Sequence, residues 1–311
     1  MPVEHVQHLM VGGTCPTEAG LSDKARSAAH ATSADFRQLV RPRLTALVLV
    51  TVTAGGLLAP GPADWVRLVQ ALIGTAFVAA GASCLNQFLE RYTDALMPRT
   101  ANRPLPTGRL LPEEVLALGG GFALGGLLYL LFALPQPAAA LTALLALVSY
   151  LAVYTPLKRR TALSTLAGAV PGALPPVIGW CAVRGRVDAG AVALFLIVFL
   201  WQVPHFLAIA WLYRGQYAAA GLRVLPVADP RGTRTARQMT LYALALVPVS
   251  LLPVFLGMAG PAAAVVALTL GGFFVLTALR FAADRTDERA RTVLRASLVF
   301  LPVLLLALVL S

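Results

Sequence analysis

The chain has 311 residues, of which 58% are hydrophobic and 13% charged, with a formal net charge of +11 and a mean hydropathy of +0.76. A soluble domain carries about a quarter charged residues, so this composition excludes a water-soluble globule, a disordered chain and a disulfide scaffold. Nor does the basic excess indicate nucleic acid, because in a lipid-embedded chain the distribution of Lys and Arg reports orientation.

Residues 1–40 contain no apolar stretch long enough for a signal-peptide core and are expected to form a flexible cytoplasmic tail. The membrane domain is expected over 41–311. His5, His8 and His30 are spaced unlike a metal site, and Cys15, Cys84 and Cys181 form no C-x-x-C pair, so neither zinc nor a disulfide is indicated. Arg41-Pro42 marks a helix start, where the missing N–H of proline costs nothing.

Apolar runs then follow at about 44–59, 65–88, 115–134, 138–154, 163–183, 189–213, 240–257, 262–279 and 293–310, each near the ~20 residues a crossing helix needs. The expected fold is an all-α integral membrane protein, a bundle of nine transmembrane helices. Pro171, Pro175 and Pro176 in the fifth run imply either a kink lining a cavity or a plain bend. Alternate gaps between runs hold 22 of the 25 basic residues, the other gaps only Arg67, Arg184 and Arg186. By the positive-inside rule the N-terminus is cytoplasmic and the C-terminus lies on the opposite side.

At the basic end of the second run, Asn86, Glu90 and Asp94 recur every fourth residue. On a helix such positions drift by only about 40° per step while rising ~6 Å, so the three share one face. Oxygen-only ligands with open positions suit Mg²⁺, which commonly bridges one or two carboxylates to substrate phosphates; the alternative is a solvated helix end. A Pro/Gly-rich loop follows with Arg99, Arg103 and Arg109, and Tyr154, Lys158, Arg159 and Arg160 lie on the same side. These cations either fix orientation or grip phosphate oxygens. Acids and two basic clusters around one mouth point to a diphosphate site.

The Asn86-x-x-x-Glu90-x-x-x-Asp94 ladder and the Tyr154-x-x-x-Lys158 element resemble motifs of the UbiA-type intramembrane prenyltransferases. Asp94 to Gly108, Gly172 to Trp180, Trp201 to Phe206 and Ala220 to Val227 are similar to the branch that farnesylates haem. The likeness covers about residues 38–311. It implies transfer of the farnesyl group of farnesyl diphosphate to a vinyl group of protohaem IX, giving haem O, at the cytoplasmic face of the inner membrane. In that reading Asn86, Glu90 and Asp94 hold Mg²⁺, Arg99, Arg103, Lys158 and Arg159 hold diphosphate, and Tyr154 faces the developing carbocation or merely anchors the interface. Partners would be the lipid bilayer and, for the product, a haem A synthase or an oxidase-assembly protein.

The chain departs from the family pattern twice. Glu90 replaces the commoner Asp, and the loop Arg214-Gly215-Gln216-Tyr217 lacks its usual acid. His205, beside Pro204 in the sixth run, is either a hydrogen-bonded structural residue or a haem-binding one. The same fold acting on a quinone precursor or chlorophyllide, and a transporter, are the competing readings.

Overall fold

A computed structural model describes residues 32–61 and 64–311. Among them every regular element is helical. A short helix α1 (Ser33–Val40) meets α2 (Pro42–Leu58) at a bend of 40°. Then come α3 (Trp65–Ala95), α4 (Pro112–Ala133), α5 (Ala138–Leu157), α6 (Ser164–Arg184) and α7 (Ala189–Leu212). Short helices α8 (Arg214–Ala219) and α9 (Leu225–Ala228) lead to α10 (Thr233–Phe255), α11 (Pro261–Ala283) and α12 (Asp287–Leu310). Among the described residues eight single helices are long and apolar enough to cross a membrane, or nine if the bent α1–α2 pair is counted as one span.

Ser33–Val40, at the end of the segment expected as a tail, forms the helix α1. Thr32 and Asp35 form a reciprocal capping box, Asp35 also accepts from Arg109 Nε at 2.8 Å, and Leu39 is buried. Each satisfies a group that a free tail would leave to water, so Ser33–Val40 is structured. Residues 1–31, with Cys15 and three of the histidines, lie outside the described residues. Cys84 and Cys181 are free and buried.

Several helices outrun their apolar segments at the basic end. α3 extends to Ala95, α10 begins at Thr233 and α12 at Asp287. Hydropathy marks the thickness of the hydrocarbon, whereas a helix satisfies its own backbone and continues into the interface. The whole acid ladder is therefore helical.

Helices in lipid gain little from hydrophobic burial, so they pack through close backbone contact at small residues. α3 and α4 show this most clearly: a Cβ at Gly81 would lie 2.7 Å from Gly119 O, and one at Gly126 would lie 2.8 Å from Gly74 O. The helical pattern of α6 breaks at Leu174 between Ala173 and Pro175. Buried Gln202 of α7 packs into this region, donating to Val198 O at 3.1 Å and reaching Ala169 O at 3.5 Å.

Contacts among loops establish which ends lie together. At one end, Arg109 meets Asp35, the Arg223 N–H donates to Lys158 O, Arg99 reaches the Tyr217 hydroxyl and Arg214 pairs with Asp287. At the other, Arg67 donates to Val183 O, Arg184 to Pro60 O, and the Gly260 N–H to Ser311 Oγ. The basic gaps thus converge on one end and the C-terminus lies at the other.

Candidate active site

The ladder occupies the last turns of α3. Asn86, Glu90 and Asp94 are all buried, although two of them are acids. Buried carboxylates persist only with partners, and each has one. Glu90 is ion-paired with Lys158, which α5 delivers from its C-terminal end. Asp94 is ion-paired with Arg103 from the following loop. Asn86 Nδ2 donates to Glu90 Oε2 at 2.9 Å, leaving Asn86 Oδ1 to face the Thr155 hydroxyl at 3.0 Å.

The loop carrying the arginines is wound rather than slack. Thr100 Oγ1 donates to Asp94 O at 2.8 Å, and Arg109 Nη2 donates to Asn102 O at 2.8 Å while its Nε holds Asp35. Arg109 is thus a strut between this loop and α1. Arg99 lies with its guanidinium 5.1 Å from the Tyr213 ring centre and Nη2 3.5 Å from the Tyr217 hydroxyl. Arg159 donates to the Thr93 hydroxyl. The ladder and both basic clusters are therefore brought together.

Tyr154 ends a π-helical stretch, Ser149–Tyr154, inside α5. Such wide turns in a membrane helix commonly mark functional sites, and here one aligns the Tyr150 and Tyr154 rings, stacked at 5.7 Å. Lys158 Nζ lies 5.2 Å from the Tyr154 ring centre. The ring also packs on Gly168, where a Cβ would come within 2.7 Å of the ring carbons. Glycine at 168 is what lets the aromatic face sit beside the ladder.

Arg41 and Gln87 join this site although the sequence reading gave them no role. Arg41 has φ 48°, a left-handed conformation costly for a side-chain-bearing residue. Gln87, buried in α3, holds the corner by donating to Leu39 O at 2.9 Å and Gln38 O at 3.2 Å. The bend brings Arg41 to a cavity of about 420 Å³ lined also by Gln38, Arg99, Thr100, Asn102 and Arg103. The signal available in sequence was Arg41-Pro42, a break where a cation precedes a helix.

The α7–α10 connection also borders the mouth, through Tyr217 and the Arg223 contact to Lys158. Gln216 is half-buried on α8. The acid further along, Asp229, is used as a cap, accepting from Thr235 N at 2.8 Å and Thr235 Oγ1 at 3.0 Å. His205 is placed elsewhere, on the face of α7 toward α12, with Nδ1 2.8 Å from Ser297 Oγ.

Among the described residues no cluster of three or more His, Cys, Asp or Glu side chains could hold a metal ion by itself. The ladder offers two carboxylates and one amide oxygen. That incomplete, all-oxygen set fits Mg²⁺, which keeps waters and completes its shell with substrate phosphate, and does not fit zinc or a self-sufficient calcium cage.

The fold and this mouth define a class: multi-pass helical membrane proteins with one polar site at one end of the bundle. The chain belongs to the UbiA prenyltransferase family, which matches residues 48–304, and it is a transferase. It is 44% identical over 282 residues to protoheme IX farnesyltransferase of Solibacter usitatus, covering 87% of this chain and 96% of that one. The protoheme IX farnesyltransferase of Opitutus terrae is 43% identical over 285 residues, covering 91% and 96%. A UbiA homolog from Archaeoglobus fulgidus bound to GPP and Mg²⁺ shares the fold, with a TM-score of 0.62 at 18% identity over 89% of this chain and 100% of that one. Family membership removes the transporter reading.

Proposed function

We propose that this protein transfers the farnesyl group of farnesyl diphosphate to a vinyl group of protohaem IX, giving haem O. The observation that carries the site is the pairing of two buried ladder carboxylates with cations from different segments, Glu90 with Lys158 and Asp94 with Arg103. The acceptor rests on the curated relatives, whose names specify protoheme. The positive-inside distribution orients the mouth to the cytoplasm of a cell-membrane protein with its N-terminus inside. Haem O would pass to a haem A synthase or an oxidase-assembly partner.

Asn86, Glu90 and Asp94 would hold Mg²⁺, which when bound neutralises the charge of the leaving diphosphate. Arg103 and Lys158 are the nearest cations, held in place by those same carboxylates. With Arg99, Arg159 and Arg41 they present donors to phosphate oxygens, stabilising charge that grows as the allylic C–O bond breaks. The Tyr154 ring, beside Lys158, would lend π-electron density toward the allylic cation. The vinyl π-pair forms the new C–C bond, and water adds to the resulting cation with loss of one proton.

The test is incubation of purified protein with haem, farnesyl diphosphate and Mg²⁺, followed by mass analysis for haem O. Prenylation of a quinone precursor or chlorophyllide, with haem untouched, would overturn the acceptor assignment.

A further inference from the structure

His205 lies between two aromatic neighbours and one hydroxyl. Its ring stacks on Trp201 with centroids 4.9 Å apart and 22° between planes, and Phe206 meets it edge-on at 5.5 Å. Its Nδ1 is 2.8 Å from the hydroxyl of Ser297, which is wholly buried on α12. Two further hydrogen bonds fix that serine. Its hydroxyl donates to Leu294 O at 2.7 Å, and its carbonyl accepts from Trp201 Nε1 at 2.7 Å.

A serine hydroxyl has one hydrogen. Because it is directed at Leu294 O, the oxygen can only accept from the histidine, so Nδ1 carries the proton. In a neutral imidazole the other nitrogen, Nε2, is then left with its lone pair in the ring plane. Among the described residues Nε2 has no hydrogen-bond partner. Imidazole held by a hydrogen bond at one nitrogen and bare at the other is the form that ligates haem iron, and the outer bond sets both tautomer and ring direction.

We infer that Ser297 is a positioning residue for haem: it fixes His205 as the Nδ1–H tautomer so that Nε2 ligates the iron of the substrate, with Trp201 holding the ring plane and the serine carbonyl together. This rests on the haem reading of the site. It assigns the acceptor a contact on α7 and α12, separate from the diphosphate mouth between α3 and α5. His205 is the iron ligand, and Ser297 acts only through it.

The experiment uses full-length protein loaded with ferric haem, read by optical absorption and electron paramagnetic resonance per folded molecule. Wild type should show an imidazole-ligated spectrum that His205→Ala abolishes. Ser297→Ala should alter the spin state and weaken haem affinity by about 10-fold or more, the usual scale for loss of an outer-shell partner. Ser297→Thr, which keeps the hydroxyl, should restore both. Ser297→Cys, of similar volume but a weak acceptor, provides the same comparison should Ser297→Ala fail to fold. If Ser297→Ala or Ser297→Cys lowers only thermal stability and leaves the spectrum unchanged, the bond is merely helix packing and the inference is wrong. Haem O formation by wild type with a spectrum indifferent to His205→Ala would overturn the ligand assignment while sparing the proposed function. Failure of wild type both to bind haem and to form haem O would remove both.

Discussion

Asp94 and Arg103, nine residues apart, are ion-paired with the carboxylate 2% exposed and the guanidinium 16% exposed. The acid comes from the last turn of α3 and the base from the loop that leaves it, so a short local connection delivers both signs of charge to one mouth. Asp94→Asn keeps size and removes the charge. Turnover is expected to fall at least ~100-fold, the scale for losing one electrostatic stabiliser of a reacting centre, with a higher Mg²⁺ requirement. The assay is haem O formation against Mg²⁺ concentration. A loss under tenfold would show that Asp94 is not a metal ligand.

The second loop makes a contrasting prediction. Gln216 offers only a neutral carbonyl, and Asp229 already caps α10. Gln216→Ala should therefore cost far less than Asp94→Asn. Gln216→Asp should leave turnover unchanged or raise it at limiting Mg²⁺, because it adds an anion beside the mouth. Equal damage from Gln216→Ala and Asp94→Asn would mean that the metal does not rest on the first motif.

Gly81 tests the packing of α3 on α4. Its missing Cβ would lie 2.7 Å from Gly119 O, a backbone atom that cannot rotate away. Gly81→Ala should separate the helices and cost roughly 1–3 kcal/mol, as overpacking does. Gly121, on α4, has open space around the same position. Gly121→Ala should be neutral or stabilising by up to about 1 kcal/mol. Thermal unfolding in one detergent compares the two, and equal melting temperatures would contradict the close-contact account.

Topology is tested by reporter fusions at Gln136 and Arg160, which flank α5. The first should report an external position and the second a cytoplasmic one, because the basic gaps lie on the Arg160 side. Matching signals from both positions would be incompatible with a crossing by α5.

Much of this architecture was legible in the order of residues. Runs of about 20 apolar residues declare crossings because lipid leaves backbone groups no partner outside a helix. A four-residue period places Asn86, Glu90 and Asp94 on one face because helix geometry is local. Charge asymmetry likewise reports which gaps share one end of the bundle without any knowledge of contacts. Tertiary structure decided what periodicity cannot encode: that Lys158 returns from α5 to Glu90, that Gln87 holds the left-handed corner at Arg41, and that Ser297 meets His205 across 92 residues. These are distances between segments far apart in the chain, set by which helices pack together and how closely their small residues let them approach. A pattern read along one helix specifies which face is polar, but the partner that satisfies that face is chosen by packing.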